Sequence, residues 1–377
     1  MIPQISLYFH IPFCTRKCHY CHFYVIRENE NGKNQLLDAF LLELALLSNF
    51  LKEKEILTIY FGGGTPSLFG PHRVASVLQF LQKNCIVSPS SEITLEINPE
   101  NVTPELISEY AKAGVNRASI GIQTLDQELL QVLGRSHDSF KALDAVHTTY
   151  REGISNISVD LMYDLPTQNL SHWSTTLEQI KTLPLQHISL YNLTIEPHTL
   201  FFKNQHLLRP SLPNEETSLH MLEMAMQRLE EMGFQQYEIS AFAKPGYASQ
   251  HNMGYWIGRP FLGVGPSAWS YWEKKRFQNI PHLHRYDQLL REKKFPIHLE
   301  EKLDPDAHRR ELFVIHLRLR KGVHMEEFMA QHGELEVVTK QKIVEWIEQN
   351  CISFENHHYF LTKKGMLLYE CIASDLI

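Results

Sequence analysis

The chain has 377 residues, which is enough to bury the core of a large domain and still form a smaller one. Its 36 Lys and Arg residues against 43 Asp and Glu residues give a net charge of −7, and these charges are dispersed along the sequence. Because basic residues are neither in excess nor clustered, we expect no nucleic-acid partner.

The N-terminal sequence MIPQISLYFHIPFC has neither a basic leader nor a small-residue cleavage site, and no apolar run has the length needed to cross a bilayer. We therefore expect a cytoplasmic protein. Thiols stay reduced in that compartment, so the six cysteines do not indicate a disulfide framework. Three of them are scattered, and we predict that they are small buried residues: Cys85, Cys351 and Cys371.

Short apolar runs rich in β-branched residues alternate with amphipathic helical segments through the first half of the sequence. These runs begin near residues 5, 57, 92, 118, 157 and 187. Two of the helical segments are followed by glycines that we predict to be C-caps, Gly114 and Gly153. The alternation predicts a parallel sheet with crossover helices, which is an α/β fold built as a partial (β/α)6 TIM-like barrel.

Further elements are predicted after about residue 197. A long helix is expected over NEETSLHMLEMAMQRLEEMGF, followed by a strand over YEISAFA. From about residue 305 the pattern becomes helical, and it ends in a hairpin over ISFENHHYFLT and a last helix. The sequence therefore predicts a core over residues 1–300 and a small C-terminal winged-helix-like α+β domain over residues 305–377.

Functional residues in such sheets gather at the carboxyl ends of the strands. Several glycines and polar residues stand at or near the predicted ends: Gly62 to Gly64, Glu96, Gln123, Asp160 and Tyr191. A loop with three cysteines follows the first strand. We expect these residues to form one site.

The stretch FHIPFCTRKCHYCHFY, residues 9–24, places Cys14, Cys18 and Cys21 within eight positions. A structural zinc ion needs four protein ligands, usually in two separated pairs, so His19 or His22 would have to complete a zinc site on this one short loop. Buried cysteines without a metal are a second alternative. A 4Fe–4S cluster fits the triplet better, because three thiolates on four irons leave one iron open for a small-molecule ligand.

This CxxxCxxC motif resembles the signature of the radical S-adenosylmethionine (SAM) enzymes. In that family the open iron chelates SAM, and an electron from the cluster cleaves SAM to a 5′-deoxyadenosyl radical. The resemblance therefore implies that Cys14, Cys18 and Cys21 hold a 4Fe–4S cluster, that SAM is a second cofactor, and that an electron donor reduces the cluster.

The resemblance also implies a set of SAM-binding residues. GGGTP, residues 62–66, is similar to the segment beside the methionine amino group of SAM, which gives this role to Gly63, Gly64 and Thr65. Polar residues resembling those that hold the ribose, adenine and carboxylate in the coproporphyrinogen-oxidase-like branch are Glu96, Gln123, Arg135 and Asp160. Tyr8 resembles the aromatic residue near the cluster and SAM. The residues alone leave plainer roles open, such as a turn, a loop cap, a solvated charge or a strand tyrosine.

Within this branch the chain resembles two relatives along essentially its whole length. One is the oxygen-independent coproporphyrinogen-III dehydrogenase, which oxidatively decarboxylates two propionates. That enzyme has a longer N-terminal extension and a further cysteine two places after the triplet, whereas this chain has Phe23 at that place and thirteen residues before Cys14. The other relative is the family of HemW-type haem chaperones, which we favour.

The string HNMGYW, residues 251–256, is similar to the HNxxYW motif of those chaperones. The imidazole of His251 could ligate haem iron, and Tyr255 and Trp256 offer aromatic faces to a porphyrin. A histidine among aromatic residues can also be a hydrogen-bonded core residue, so that alternative stays open. Two positions depart from the family pattern: Asp164 replaces a glycine in DLMYDLP, and Trp269 replaces a histidine in SAWSY.

The resemblance as a whole implies a protein that binds a 4Fe–4S cluster, SAM and haem, and that delivers haem to apo-haemoproteins of the respiratory chain. It implies peripheral contact with the membrane at which such clients reside, and it is compatible with a homodimer. The alternatives are the coproporphyrinogen-III dehydrogenase and a radical SAM enzyme with an unrelated substrate.

Overall fold

The computed structural model describes residues 2–377 of the chain. Its strands are β1 (Gln4–Ile11), β2 (Phe13–Cys14), β3 (Ile26–Arg27), β4 (Glu55–Gly63), β5 (Ile86–Ile97), β6 (Arg117–Gln123), β7 (Asn156–Tyr163), β8 (His187–Asn192), β9 (Gln235–Glu238), β10 (Ala241–Ala243), β11 (Phe261–Val264), β12 (Trp269–Trp272), β13 (Lys275–Asn279), β14 (Ile297–Lys302), β15 (Val323–His324), β16 (Ile352–Glu355) and β17 (His358–Leu361).

The helices are α1 (Glu30–Leu51), α2 (Pro71–Asn84), α3 (Pro104–Ala113), α4 (Gln127–Leu133), α5 (Ser139–Arg151), α6 (Leu170–Ile180), α7 (Leu200–Lys203), α8 (Gln205–Leu208), α9 (Glu215–Glu231), α10 (Gln250–Trp256), α11 (Leu283–Arg291), α12 (Pro305–His316), α13 (Met325–His332), α14 (Val337–Glu348), α15 (Lys363–Leu367) and α16 (Tyr369–Leu376). None of the helices in residues 2–377 combines the length and the apolar character that a membrane span requires.

Twelve strands form one sheet, in the order β14-β13-β12-β11-β1-β4-β5-β6-β7-β8-β10-β9. The six strands predicted from the sequence are β1 and β4 to β8, and each pairs in parallel with the next. Crossover helices join them, so their carboxyl ends share one edge. The predicted partial (β/α)6 barrel is therefore confirmed, and β11 extends it by pairing in parallel with β1.

Helix ends follow local sequence signals. Helix α3 begins after Thr103, whose hydroxyl accepts a hydrogen bond from the Leu106 amide at 3.2 Å, and it ends at Gly114 with φ 108°. The predicted C-cap at Gly114 is therefore confirmed. Helix α5 differs, because its C-cap is Glu152 and the predicted cap Gly153 is the next residue, with φ 103°.

The segment YEISAFA forms two antiparallel strands, β9 and β10, instead of the single strand that we predicted. The chain turns at residues 239–240, where the Gln236 side-chain amide donates to the Ile239 carbonyl at 3.1 Å. Strand β10 pairs antiparallel with β8, so β10 and β9 extend the sheet beyond the last parallel strand.

The C-terminal elements form a small α+β unit with its own core. Strands β15, β17 and β16 make a three-stranded sheet, and β16 and β17 are the predicted hairpin. Residues such as Phe313, Ile343 and Ile372 form a buried cluster separate from the barrel core. Residues of α12 in this unit also line a cavity of the barrel, described below, so the unit contributes to the wall of that cavity.

Candidate functional site

A cavity of about 440 Å³ lies at the carboxyl ends of the parallel strands. Its walls are the loop after β1 and the ends of β4 to β8. Most of the residues that we predicted from the cysteine motif and the strand ends line this cavity: Cys14, Cys18, Cys21, Gly63, Gly64, Thr65, Glu96, Gln123, Arg135, Asp160 and Tyr191. Gly62 and Tyr8 do not line it. The structure therefore brings together side chains that are scattered along the sequence.

The cysteine thiols stand beside hydrogen-bonding partners at the cavity wall. Thr65 Oγ1 lies 3.4 Å from Cys14 Sγ, and Arg135 Nη1 donates to Cys18 Sγ at 3.5 Å. Burial raises the pKa of Cys14 to about 11 and also raises the pKa of Cys21. A buried thiol becomes a thiolate when a metal binds it, so a cluster would deprotonate these side chains and the Arg135 guanidinium would offset their charge.

His19 is anchored to helix α4. Its Nδ1 lies 2.9 Å from the Val132 carbonyl, and its backbone amide donates to the Leu133 carbonyl at 3.0 Å. These contacts anchor the middle of the cysteine loop. The side-chain contact uses only Nδ1 of His19.

The glycine-rich segment after β4 approaches the cysteine loop too closely for a side chain. A Cβ atom at Gly64 would lie 2.7 Å from the Phe13 carbonyl oxygen and 3.1 Å from Cys14 Sγ. Gly63 has φ 115°, and its amide donates to Glu96 Oε2 at 3.1 Å. Glycine is therefore required at both positions, and the segment leaves room for a ligand beside the cluster loop.

Two partly buried carboxyl groups, Glu96 and Asp160, stand at the ends of β5 and β7. Glu96 accepts a hydrogen bond from the Tyr60 hydroxyl at 2.9 Å, and burial raises its pKa to about 7. Burial also raises the pKa of Asp160, whose Oδ1 lies 3.4 Å from the Ser119 hydroxyl. Such carboxylates would be stabilised by a ligand that brings hydroxyl groups or a positive charge.

The sequence analysis missed Asn98, which organises this end of the site. Its side-chain oxygen accepts from Arg135 Nη2 at 2.9 Å, and its side-chain nitrogen donates to Thr65 Oγ1 at 3.0 Å. Arg135 also donates to the Gly121 carbonyl at 2.7 Å. Asn98 follows Glu96 by two positions at the same strand end, and that position was the signal that could have identified it.

The donor set fits a three-thiolate cluster with SAM. Three thiols share a cavity with one guanidinium, two partly buried carboxyl groups and a glycine segment that a Cβ atom would block. The Nε of Arg135 is buried without a hydrogen-bond partner among residues 2–377, so the site keeps an unused donor. When bound, the cluster would supply one-electron chemistry at its open iron.

A second cavity of about 970 Å³ adjoins the first one, and we call it the aromatic cavity. It lies between the cysteine loop, α10, the strands β11 to β13 and α12. Its walls carry many aromatic side chains: Tyr8, Phe23, Tyr24, Tyr255, Trp256, Phe261, Trp269 and Tyr271. Tyr8, which we predicted beside SAM, therefore lines the aromatic cavity instead of the smaller one. His22 and Phe23 line both cavities.

His251 lies beneath the aromatic cavity and does not line it. Its side chain is buried, with Nδ1 2.8 Å from Thr58 Oγ1 and Nε2 2.8 Å from the Tyr255 hydroxyl. Burial lowers its pKa to about 3, so the imidazole is neutral. Haem ligation by His251 stays a prediction, and it would require one of these hydrogen bonds to break. Tyr255, the other predicted haem contact, does line the cavity.

The departure at Asp164 has a structural compensation. Asp164 has φ 61°, a conformation that favours glycine, and this explains the glycine of the family pattern. Its carboxylate accepts hydrogen bonds from Asn192 and Ser218, which ties the end of β7 to β8 and α9. The departure at Trp269 places a half-exposed indole on the wall of the aromatic cavity.

The scattered cysteines differ in their surroundings. Cys351 is buried as predicted, and Cys85 is half-buried. Cys371 is exposed, which corrects our prediction that it is buried. It lies on α16, whose buried face is formed by Ile372 and Leu376.

Comparisons with known proteins agree with this geometry. The radical SAM superfamily matches residues 8–180, and the HemN C-terminal domain matches residues 303–368. The solved structure of the coproporphyrinogen III oxidase HemN from Escherichia coli, a radical SAM enzyme, superposes with a TM-score of 0.86 at 22% identity. The superposition covers 99% of this chain and 89% of that chain, and it shows that the two share a fold.

Two curated relatives are more similar in sequence. The mitochondrial radical S-adenosyl methionine domain-containing protein 1 of Danio rerio is 39% identical over 70% of this chain, a match that spans 60% of that protein's own length. The haem chaperone HemW of Lactococcus lactis is 32% identical over 96% of this chain and 94% of its own length. This chain therefore belongs to the HemW family of haem chaperones, within the radical SAM superfamily.

Proposed function

We propose that this protein is a haem chaperone that binds a 4Fe–4S cluster, SAM and haem, and delivers haem to apo-haemoproteins. The observation that carries the proposal is the aromatic cavity of about 970 Å³. It shares wall residues with the cavity of about 440 Å³ at the cysteine loop, which we call the cluster cavity. Its volume is at the upper end of small-molecule sites, and flat aromatic walls suit a porphyrin. Full-length similarity to HemW supports the same function.

The cluster in this proposal is held by Cys14, Cys18 and Cys21. SAM occupies the smaller cavity, between the glycine segment and the polar residues at the strand ends: Glu96, Gln123, Arg135 and Asp160. Haem occupies the aromatic cavity, where Tyr8 and Tyr255 contribute to the wall. Because the cavities share His22 and Phe23, haem and the cluster lie close enough to influence each other.

Finer parts of the proposal concern the partners. We propose that the protein works in the cytoplasm, receives electrons for its cluster from a reduced donor, and passes haem to respiratory apo-haemoproteins by peripheral contact at the membrane. A homodimer is part of the same proposal. The reduced cytoplasm suits a protein whose three cluster cysteines must stay free of disulfides.

The alternative function is the oxidative decarboxylation of coproporphyrinogen III. The two chains share a fold, but at 22% identity this similarity does not indicate that they catalyse the same reaction. Phe23 stands where that enzyme has a further cysteine, and its half-exposed ring lies on the wall between the two cavities. An apolar ring at this place cannot bind metal or transfer a proton, which favours the carrier over the enzyme.

One experiment separates the two functions. The full chain is purified without oxygen, its cluster is reconstituted, and ferric haem and coproporphyrinogen III are offered in parallel assays with SAM and a reductant. We expect stable haem binding, transfer of haem to an apo-haemoprotein, and no formation of protoporphyrinogen. Turnover of coproporphyrinogen III, or the absence of haem binding, would contradict the proposed function.

A further inference from the structure

The histidines that line the aromatic cavity differ in whether their ring nitrogens are free. His10 is buried, with Nδ1 3.1 Å from the Tyr8 hydroxyl and Nε2 3.3 Å from the Tyr24 carbonyl. His308 is buried as well, and its Nε2 is hydrogen-bonded to the Tyr271 hydroxyl. A haem iron would have to displace a partner from either ring.

His22 is the cavity histidine with an available imidazole. Its side chain is exposed, and neither ring nitrogen has a hydrogen-bond partner among residues 2–377. Its ring packs against Phe23 with a centroid distance of 4.7 Å, and Lys17 Nζ donates to the Phe23 carbonyl at 3.2 Å. These contacts position the pair at the rim of the aromatic cavity without using the nitrogens of His22.

The position of His22 also connects the two sites. It follows Cys21 directly in the chain, and it lines both the cluster cavity and the aromatic cavity. A ligand bound through His22 would therefore lie beside the cluster, separated from it by neighbouring side chains of one short loop. His251, by contrast, is buried with both ring nitrogens hydrogen-bonded.

The rest of the cavity suits a flat molecule with carboxylate groups. Trp269 presents an indole that is 43% exposed, and the Nε1 of Trp256 is buried without a partner among the described residues. Arg259 lines the cavity and its Nη1 contacts only neutral oxygens, those of Ser6 and Gln250. The other cavity arginine, Arg276, is already paired with carboxylates, as the cavity residues Glu301 and Glu311 accept from it.

We propose that His22 is the axial ligand of the haem iron, with the macrocycle between the aromatic walls and a propionate toward Arg259. This inference rests on the proposed haem-binding function. In this proposal the HNMGYW motif does not ligate the iron. Its His251 instead positions Tyr255 in the cavity wall through the hydrogen bond at 2.8 Å. A neutral imidazole is a common iron ligand, and an exposed loop residue can adjust to the iron.

The test uses the full chain with its cluster reconstituted, titrated with ferric haem under anaerobic conditions. The variants are His22→Gly and, as the matched control, His284→Gly, because His284 is exposed and lies outside the cavity. We expect His22→Gly to bind haem more weakly and to lose the absorbance and electron paramagnetic resonance signals of a histidine-ligated haem. Free imidazole should restore those signals in His22→Gly, since it fills the space of the missing ring.

The outcomes separate this inference from the function on which it rests. If the wild-type protein binds no haem, the proposed function fails. If the wild type binds haem and His22→Gly has the same haem spectrum, or imidazole does not restore its spectrum, His22 is not the ligand and the haem-chaperone function stands. Iron and sulfide analysis of both variants checks that the cluster is retained in the comparison.

Discussion

The guanidinium of Arg318 stacks on the indole of Trp256, with its Cζ 4.2 Å from the ring centroid. Arg318 follows α12 of the C-terminal unit, and Trp256 is the last residue of the HNMGYW helix α10. The same guanidinium donates to Glu238 Oε2 at 3.3 Å and lies 5.1 Å from the Tyr369 ring centroid. The Arg318 side chain therefore connects the C-terminal unit to the edge of the barrel and to the wall of the aromatic cavity.

We predict that Arg318→Ala destabilises the protein strongly. Glu238 is almost fully buried, so loss of its partner leaves an uncompensated carboxyl group and removes the stacking on Trp256. The expected loss is about 3 kcal/mol in the free energy of unfolding, measured by denaturant titration. The double variant with Glu238→Gln should be less destabilised than Arg318→Ala alone.

The control for this variant is Arg228→Ala. Arg228 pairs with Glu178 at 3.6 Å, but both side chains are largely exposed. Exposed ion pairs contribute about 0 to 1 kcal/mol, so this variant should unfold almost like the wild type. If the two arginine substitutions lowered the free energy of unfolding equally, Arg318 would not stabilise the contact between the C-terminal unit and the barrel.

We predict that Cys14, Cys18 and Cys21 are each required to hold the cluster. A cube bound by two protein thiolates loses its anchorage, so single substitutions to Ala should abolish stable iron and sulfide binding. Cys85→Ala and Cys371→Ala are the controls and should keep the full complement, because neither residue lines the cavity. A Cys18→Ala protein with normal iron and sulfide content would contradict the ligand set.

We predict that Glu96→Ala and Asp160→Ala weaken SAM binding. Each removes a partly buried carboxyl group from the cavity wall, and a lost hydrogen bond to a charged group costs roughly 1.5 to 3 kcal/mol, or about ten- to a hundredfold in affinity. The control is Glu105→Ala, because Glu105 is exposed and does not line the cavity. Unchanged SAM titrations for both cavity variants would show that SAM binds elsewhere.

We predict that Asp164→Ala is less stable than Asp164→Gly. Both variants lose the hydrogen bonds to Asn192 and Ser218, so their difference isolates the backbone conformation at φ 61°. A left-handed conformation costs a residue with a Cβ roughly 1 kcal/mol relative to glycine. Denaturant titrations of the two variants measure this difference, and equal stabilities would mean that the segment relaxes around the substitution.

The barrel and most residues of the proposed SAM site could be predicted from the sequence, because both depend on local patterns. Strand runs alternate with helical runs, and residues at strand ends meet at one edge in any parallel sheet. Glu96 and Asp160 could therefore be placed together without knowledge of their contacts. The cysteine spacing was equally informative, since few other sites use three thiolates on one loop.

The aromatic cavity could not be predicted in the same way, because it is built by packing between distant segments. Arg318 and Trp256 meet only after the C-terminal unit docks on the barrel, and no periodicity in the sequence marks that contact. Tyr8 was expected beside SAM, but the strand alternation that directs it inward does not determine which of two adjoining cavities it lines. His251 was recognised by its motif, although its hydrogen bonds to Thr58 and Tyr255 became visible only in the fold.

We predict that His251 makes the stability of the folded protein depend on pH. Burial lowers its pKa from 6.5 to about 3 in the folded protein, so between these values the unfolded chain binds more protons. The contribution of His251 to the free energy of unfolding is therefore fully present above about pH 6.5, and it decreases as the pH falls towards 3. The slope reaches at most one proton, or about 1.4 kcal/mol per pH unit.

We expect His251→Gln to flatten the dependence of unfolding free energy on pH between about pH 5 and pH 7, as measured by denaturant titration. Burial raises the pKa of Glu43 and Glu96 to about 7, so the folded protein binds protons at these groups more readily than the unfolded chain does. Their protonation therefore favours folding as the pH falls below about 7, which opposes the effect of His251. The comparison with the wild type removes their contribution, because both proteins retain these carboxyl groups. Exposed His284→Gln is the matched control and should leave the wild-type slope unchanged. Parallel curves for His251→Gln and the wild type would mean that the pKa of His251 is nearly the same in the folded and unfolded protein, which would contradict the lowering by burial.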